Sequence, residues 1–224
     1  MPFLLIDKPE GMTSHDVVDR VRAITGERRV GHGGTLDPMA SGLLIVGVGR
    51  EATRKLGTVT KGMDKKYNAE IVLGEERDTD DREGMVITKA VGVLPPPRKE
   101  IEATLGKFIG RVSQVPPQFS AVKTGGKKAY QQARMGERVH LEPRKVTIYS
   151  IKLIDYRYPI IEIESKVSSG TYIRALARDI GRMLGTGAYL GRLRRLRIGT
   201  YAVEQAVELD RLGRENWKTH AIEF

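Results

Sequence analysis

The 224-residue chain contains no cysteine, which excludes disulfides, thiolate nucleophiles and cysteine-ligated zinc. Its four histidines are scattered and form no His-x-x-x-His pair, so no catalytic metal is expected. No apolar run approaches the length that crosses a bilayer, and no membrane partner is expected. The stretch Phe3-Leu4-Leu5-Ile6 is too short for a secretory signal, and no cationic segment precedes it, which points to the cytoplasm. Internal repeats and low-complexity segments are missing as well.

What the chain does have is a soluble composition with an excess of positive charge. Hydrophobic residues make up 40% and charged residues 29%, enough apolar material for one large domain or two small ones. The net charge of +10 suits a polyanionic partner, because each Lys or Arg set against a phosphate releases counterions. The bases are clustered. Lys166, Arg174, Arg178, Arg182, Arg192, Arg194, Arg195 and Arg197 stand against the single acid Asp179, and Lys123, Lys127, Lys128, Arg134, Arg138, Arg144 and Lys145 outnumber Glu137 and Glu142. Between Glu75 and Glu83 the sign inverts. Positive patches beside one acidic loop fit a binding face with a separate chemical centre better than uniform solubilisation.

Periodicity and turn chemistry predict an α+β fold. Phe3 to Asp7 and Leu43 to Val48 read as short buried strands, and Lys66 to Leu73 alternates as a strand. Thr13 to Asp16 is a capping box opening a helix with Val17, Val18, Val21 and Ile24 on one face and Gly26 as its stop. Further helices are expected at 51–59, 98–105, 127–135 and 171–184, and paired strands at 146–156 and 160–167. Leu193, Leu196 and Ile198 alternate with arginines, as in a strand with one wet face.

Three segments carry chemistry. In Gly31-His32-Gly33-Gly34-Thr35-Leu36-Asp37-Pro38, glycines leave little side-chain bulk around one acid, so a ligand can approach and Asp37 can be held in a fixed pose. The same letters also suit a plain Asp-Pro turn, and the loop lacks the Gly-Lys-Ser/Thr ending of a Walker A motif. In Ser169-Gly170-Thr171-Tyr172-Ile173-Arg174, a Thr171 cap would put Arg174 in the first turn. A cation there opposes the helix macrodipole and calls for an anionic partner, or else the arginine is simply exposed. In Val115 to Tyr130, bases interleave with Phe119 and Tyr130, which suits an element laid on an RNA backbone as well as a solvated basic loop.

Together the segments resemble the bacterial tRNA pseudouridine-55 synthase family of the TruB type. The matching pieces are Asp7-Lys8-Pro9-Glu10-Gly11-Met12-Thr13-Ser14, Val30 to Pro38, Lys65-Lys66-Tyr67, Asp78-Thr79-Asp80-Asp81, the Pro-Pro-x-x-Ser-Ala-Val-Lys run ending at Lys123, Gly170 to Arg174, and Leu193-Arg194-Arg195. They occur in the family's order from residue 3 to about 200. The resemblance implies a pseudouridine-synthase fold: a central mixed, mostly antiparallel sheet flanked by helices. It implies a catalytic domain over 1–203 with an RNA-binding insertion at about 113–141, and a short tail over 204–224 in place of a full PUA domain.

The resemblance also implies roles. Asp37 is the catalytic carboxylate on a flipped-out uridine, Arg174 pairs with it and orients it, and Tyr67 stacks on the target uracil. Leu193 walls the base pocket, His32 lies near the extruded nucleotides, and Asp81 joins the Asp–Arg network. Lys123, Lys127, Lys128, Arg194 and Arg195 are expected to contact phosphates. The reaction is an isomerisation, so no cofactor is expected, and the expected partner is the T-arm of tRNA bound by a monomer. The alternatives are a guide-RNA-dependent synthase for ribosomal RNA, a non-catalytic RNA-binding or RNA-folding protein on the same scaffold, and a glycosidase using Asp37 and Asp81. The last gives no reason for the basic patches.

Overall fold

The computed structural model describes residues 1–223 except 121, 125, 134 and 136–138, with the backbone alone at 123, 124, 127 and 128. In chain order the elements are β1 (Pro2–Lys8), α1 (Ser14–Thr25), β2 (Val30–Gly33), β3 (Ala40–Val48), α2 (Arg50–Thr60), β4 (Lys65–Leu73), β5 (Glu75–Arg77), β6 (Val86–Lys89), α3 (Arg98–Gly106), β7 (Gly110–Gln114), β8 (Lys123–Thr124), β9 (Lys127–Lys128), α4 (Ala129–Ala133), β10 (Arg144–Arg157), β11 (Ile160–Val167), α5 (Ile173–Met183), β12 (Ala188–Ile198), β13 (Tyr201–Ala202), β14 (Val207–Glu208) and β15 (Ala221–Glu223). The class is α+β, with a mixed sheet flanked by helices. The chain divides into two compact units, 1–67 with 193–224, and 68–192.

In the first unit the strand order is β14-β1-β3-β12, with β2 also on β3, β15 on β1 and β13 on β12. β1 runs antiparallel to β3, with Phe3 opposite Gly47 and Lys8 opposite Gly42, and β12 runs parallel to β3, with Leu193 beside Ala40. β1 and β3 are continuous apolar runs because both of their faces are covered. Leu4, Ile6, Leu44 and Val46 pack with Val17, Val18 and Val21 of α1, and Phe3, Leu5, Leu43 and Ile45 pack with Ala52 and Leu56 of α2. Each such buried side chain contributes about 1.5–3 kcal/mol. α1 starts at the expected capping box, where Asp16 N–H donates to Thr13 Oγ1 at 3.0 Å and Thr13 N–H donates to Asp16 Oδ2 at 2.7 Å. It stops at Gly26, whose φ of 73° needs no side-chain room.

Two segments of this unit differ from the sequence reading. The Gly-rich stretch begins as a strand: β2 pairs with β3, His32 opposite Val46. The segment from Val203 onward holds 3-10 turns at Val203–Gln205 and Leu209–Arg211, and it adds β15 and β14 to successive stretches of the one edge of β1 that β3 leaves free. Leu209, Leu212 and Trp217 pack into the core beside α1. Short apolar pieces without a period find their place through such partners.

In the second unit the order is β12-β4-β11-β10-β7. β4 alternates buried and half-buried residues along its length, the period-2 pattern of a strand with one core face. β5 and β6 form a separate hairpin. Between β7 and β10, Val122, Ala129, Val139 and Leu141 make a small core with Tyr172 packed on it. The expected helix over 127–135 is shorter, because Lys127 and Lys128 pair with Thr124 and Lys123 in the β8–β9 ribbon. α5 begins two residues later than expected: Tyr172 stands at the cap without a side-chain bond, while Thr171 Oγ1 donates to Ser168 O. Arg174 is still in the first turn.

Candidate active site

Asp37 sits in the link from β2 to β3, and the backbone around it is held at nearly every residue. Arg195 Nη2 donates to Gly34 O at 2.9 Å. Ser14, at the start of α1, makes a reciprocal pair with Leu36: its Oγ donates to Leu36 O at 2.9 Å and accepts from Leu36 N–H at 2.8 Å. Ala40 N–H donates to Asp37 O, and Gly11 N–H donates to Pro38 O. Lys8 Nζ donates to Pro9 O at 2.7 Å, Met12 O at 2.6 Å and Pro38 O at 3.4 Å, so it ties the turn after β1 to the turn after Asp37. Leu36 and Met39 are buried on either side, while Asp37 is half-buried. The chain here is a pinned cradle around one carboxylate, so that group is held in a preorganised pose.

A buried guanidinium lies beside this cradle. Arg195 is 1% exposed and its Nε donates to Leu43 O at 2.7 Å. Its charge and burial shape the neighbouring groups. Burial first, then Arg195 and His15, pull the His32 pKa below the usual histidine value, so His32 is a neutral imidazole at neutral pH. Its buried Nδ1 has no hydrogen-bond partner. Burial lowers Lys8 to about 8, against the opposing charges of Glu10, Asp37 and Asp16. Burial likewise lowers Lys65 to about 8. Lys65 and Tyr67 share the buried face of β4, and Leu193 is buried where β12 runs beside Ala40.

One arginine of the arginine-rich strand departs from the wet face that the alternation suggests. Arg195 points into the core and is spent on Leu43 and Gly34, so it is corrected from a phosphate contact to a scaffold cation. Arg194 forms a bidentate pair with Asp7, at 3.0 and 2.6 Å, and remains half-exposed. Arg192 and Arg197 are the exposed arginines of that strand. Lys123, Lys127 and Lys128 belong to β8 and β9, but their side chains lie outside the described structure, and Arg134 and Arg138 lie outside the described residues.

In the second unit the structure brings Arg174 and Asp81 together. Arg174 Nη1 is 3.4 Å from Asp81 Oδ2, with both residues buried, at 6% and 4% exposure. The same guanidinium donates to Thr79 O at 3.1 Å and Phe119 O at 3.0 Å. Asp81 Oδ1 accepts from Thr79 Oγ1 and Glu83 N–H. The sequence reading assigned no role to Asp80, yet its carboxylate pairs with Arg178 at 2.8 Å, on a backbone with φ of 61°. The signal that could have found this pair is the arginine at every fourth residue of α5, at 174, 178 and 182, set against the acidic run 75–83. Among the described residues, no group of three or more His, Asp or Glu could hold a metal, and no helix is long and apolar enough to cross a membrane.

The site is thus a half-buried carboxylate on a pinned loop of an α+β scaffold, in a chain of net charge +10. Residues 22–173 match the TruB family pseudouridylate synthase N-terminal domain, and residues 174–223 match the tRNA pseudouridylate synthase B C-terminal domain. The chain therefore belongs to the TruB family of pseudouridylate synthases. It is 47% identical to the tRNA pseudouridine synthase B of Thermobifida fusca, over 95% of this chain and 74% of that protein. It is 46% identical to that of Gloeobacter violaceus, over 92% and 71%. Among solved structures it is similar to the protein of a Cbf5-Nop10-Gar1 complex, with a TM-score of 0.73 and 30% identity, over 97% of this chain and 55% of that one. It thus spans about half the length of that solved chain.

Proposed function

We propose that this chain isomerises uridine 55 in the T loop of tRNA to pseudouridine, with Asp37 as the catalytic carboxylate. The observation that carries the reading is the cradle of bonds at Gly34, Leu36, Asp37 and Pro38, which presents one acid from a loop that cannot relax. The names of relatives at 44–47% identity support tRNA as the substrate. The Cbf5-Nop10-Gar1 complex and the H/ACA RNP, at 27–30% identity, are more distant, which ranks the guide-dependent reading behind it.

The reaction breaks the N1–C1′ bond, turns the uracil without releasing it, and joins C5 to C1′. The proton leaves C5 and N1 gains one, so atoms balance with no redox change and no cofactor. The target base must leave its stack, which costs a few kcal/mol. By resemblance, Tyr67 receives the flipped uracil, Leu193 closes the pocket, His32 lies by the extruded nucleotides, and Arg174, with Asp81 beside it, orients the catalytic acid. The exposed arginines and the basic insertion supply the phosphate contacts that offset extrusion. The protein acts as a monomer.

The test is incubation with an unmodified tRNA transcript followed by chemical mapping of pseudouridine. The parent chain gives a signal at position 55. Asp37→Asn loses at least about a thousandfold in turnover while binding tRNA within about threefold of the parent, the pattern of a group needed in the transition state but not for binding. Retained turnover in that variant would overturn the assignment.

A further inference from the structure

We infer that Arg178 is a positioning residue that locks the acidic segment and the root of the 113–141 insertion onto α5, and thereby sets how tightly tRNA is held. The role in tRNA binding rests on the proposed function; the lock itself does not. Arg178 reaches three places at once: Nη1 donates to Asp80 Oδ2 at 2.8 Å, Nη2 to Val115 O at 2.9 Å, and Nε to Asp179 Oδ1 at 2.9 Å. Arg174, one turn earlier, repeats the pattern with Thr79 O and Phe119 O, and Arg182, one turn later, grips Glu76 through two bonds of 2.8 Å. Three guanidiniums at four-residue spacing thus stitch residues 76–81 to one helix, and the first two also catch the insertion where it leaves β7.

Polar bonds run through this junction beside an open cleft. A cavity of about 830 Å³ lies beside it, lined by Asp78, Asp80, Val115, Gln118, Phe119 and Arg178 among others. The apolar cluster of the insertion lies further along, at Val122, Ala129, Val139 and Leu141. A planar fork that serves two backbone segments cannot be replaced by a point charge, so lysine is a poor substitute at 178.

The Asp80 carboxylate is the other half of the lock. From α5 it faces Arg174, Arg178, Asp179 and Arg182; from its own segment, Arg77 and Asp78 line the same cavity; from β12, Leu190 N–H donates to its carbonyl. The described insertion residues on that cavity, Ser113, Val115, Pro116, Gln118, Phe119 and Ala133, bring no titratable group. Burial pushes Asp80 up to about 6 against the pull of the arginines, so the carboxylate is lost on mild acidification.

Two variants of the full chain, Arg178→Lys and Asp80→Asn, test the lock. In the protein without RNA, hydrogen exchange at the amides of Val115, Gln118 and Phe119 should quicken at least about tenfold in both, with global unfolding unchanged. With tRNA, KM should rise about tenfold while kcat stays within about twofold. In the parent, KM should rise as pH falls through 6; in Asp80→Asn it should be high and flat from pH 5 to 7. Parental exchange in both variants overturns the lock whatever the RNA result. Faster exchange with unchanged KM keeps the lock and overturns its role in tRNA binding. If Arg178→Lys fails to fold, Asp80→Asn decides alone. A parent chain that makes no pseudouridine refutes the proposed function, and the exchange result still stands or falls by itself.

Discussion

Lys8 shows how one buried cation can organise a catalytic loop. It is fully buried, and its ammonium donates to the oxygens of Pro9, Met12 and Pro38, so the turn after β1 and the turn after Asp37 move as one. Lys8→Met should destabilise the protein at pH 7 by about 1–3 kcal/mol, because three part-buried hydrogen bonds to backbone carbonyls are lost. The sign of its pH dependence follows from the lowered pKa. Folded Lys8 releases its proton near 8, while the unfolded chain keeps it until about 10.5, so the unfolded state binds more protons between those values. The parent's stability relative to Lys8→Met should therefore grow from pH 8 to 10.5, as urea unfolding of the two proteins across that range would show. A flat difference would mean that burial does not tax the lysine charge. In the sequence Lys8 is one letter of the Asp7-to-Ser14 motif; its bond to Pro38 could be seen only once β1 and β3 were paired.

At the scale of elements, the approach of β12 to β3 sets the position of the cradle. Gly42 has φ of 101°, and a Cβ there would lie 2.3 Å from Arg195 O and 2.7 Å from Arg195 N. Nothing flexible can give way, so Gly42→Ala should cost at least about 3 kcal/mol, which lowers the melting temperature by about 6–12 °C in a chain of this size. Gly31→Ala is the contrasting case. Its Cβ would meet Leu56 Cδ1 at 3.4 Å, an ordinary contact, and the change should stay within about 1 kcal/mol. Thermal unfolding of the pair checks both, and equal losses would mean that strand proximity is not what glycine serves at 42. Local signals predicted α1, α2, β4 and the β10–β11 pair, because each has a period or a cap of its own. They could not predict β14 and β15, which are two and three residues long and exist because β1 offers one edge that β3 leaves unpaired.

For the molecule as a whole, the charge of +10 has a measurable consequence. If four phosphates are engaged, tRNA affinity should fall about a hundredfold between 50 and 200 mM salt. Filter binding across that range checks this, and a flat response would exclude phosphate contacts as the source of affinity. Arg195 and Arg194 are largely spent inside the protein, so the slope must come from the exposed arginines and the insertion. The sequence by itself determined the class of fold, the family, the candidate acid and the helices and strands with a local cause, because caps, periods and ordered motifs are written in neighbouring letters. Tertiary structure alone decided which arginines stay exposed and which hold the scaffold, that Asp80 answers Arg178, and that Val207–Glu208 and Ala221–Glu223 extend a sheet. Those outcomes depend on burial and on partners about a hundred or more positions away, and no local window of sequence contains them.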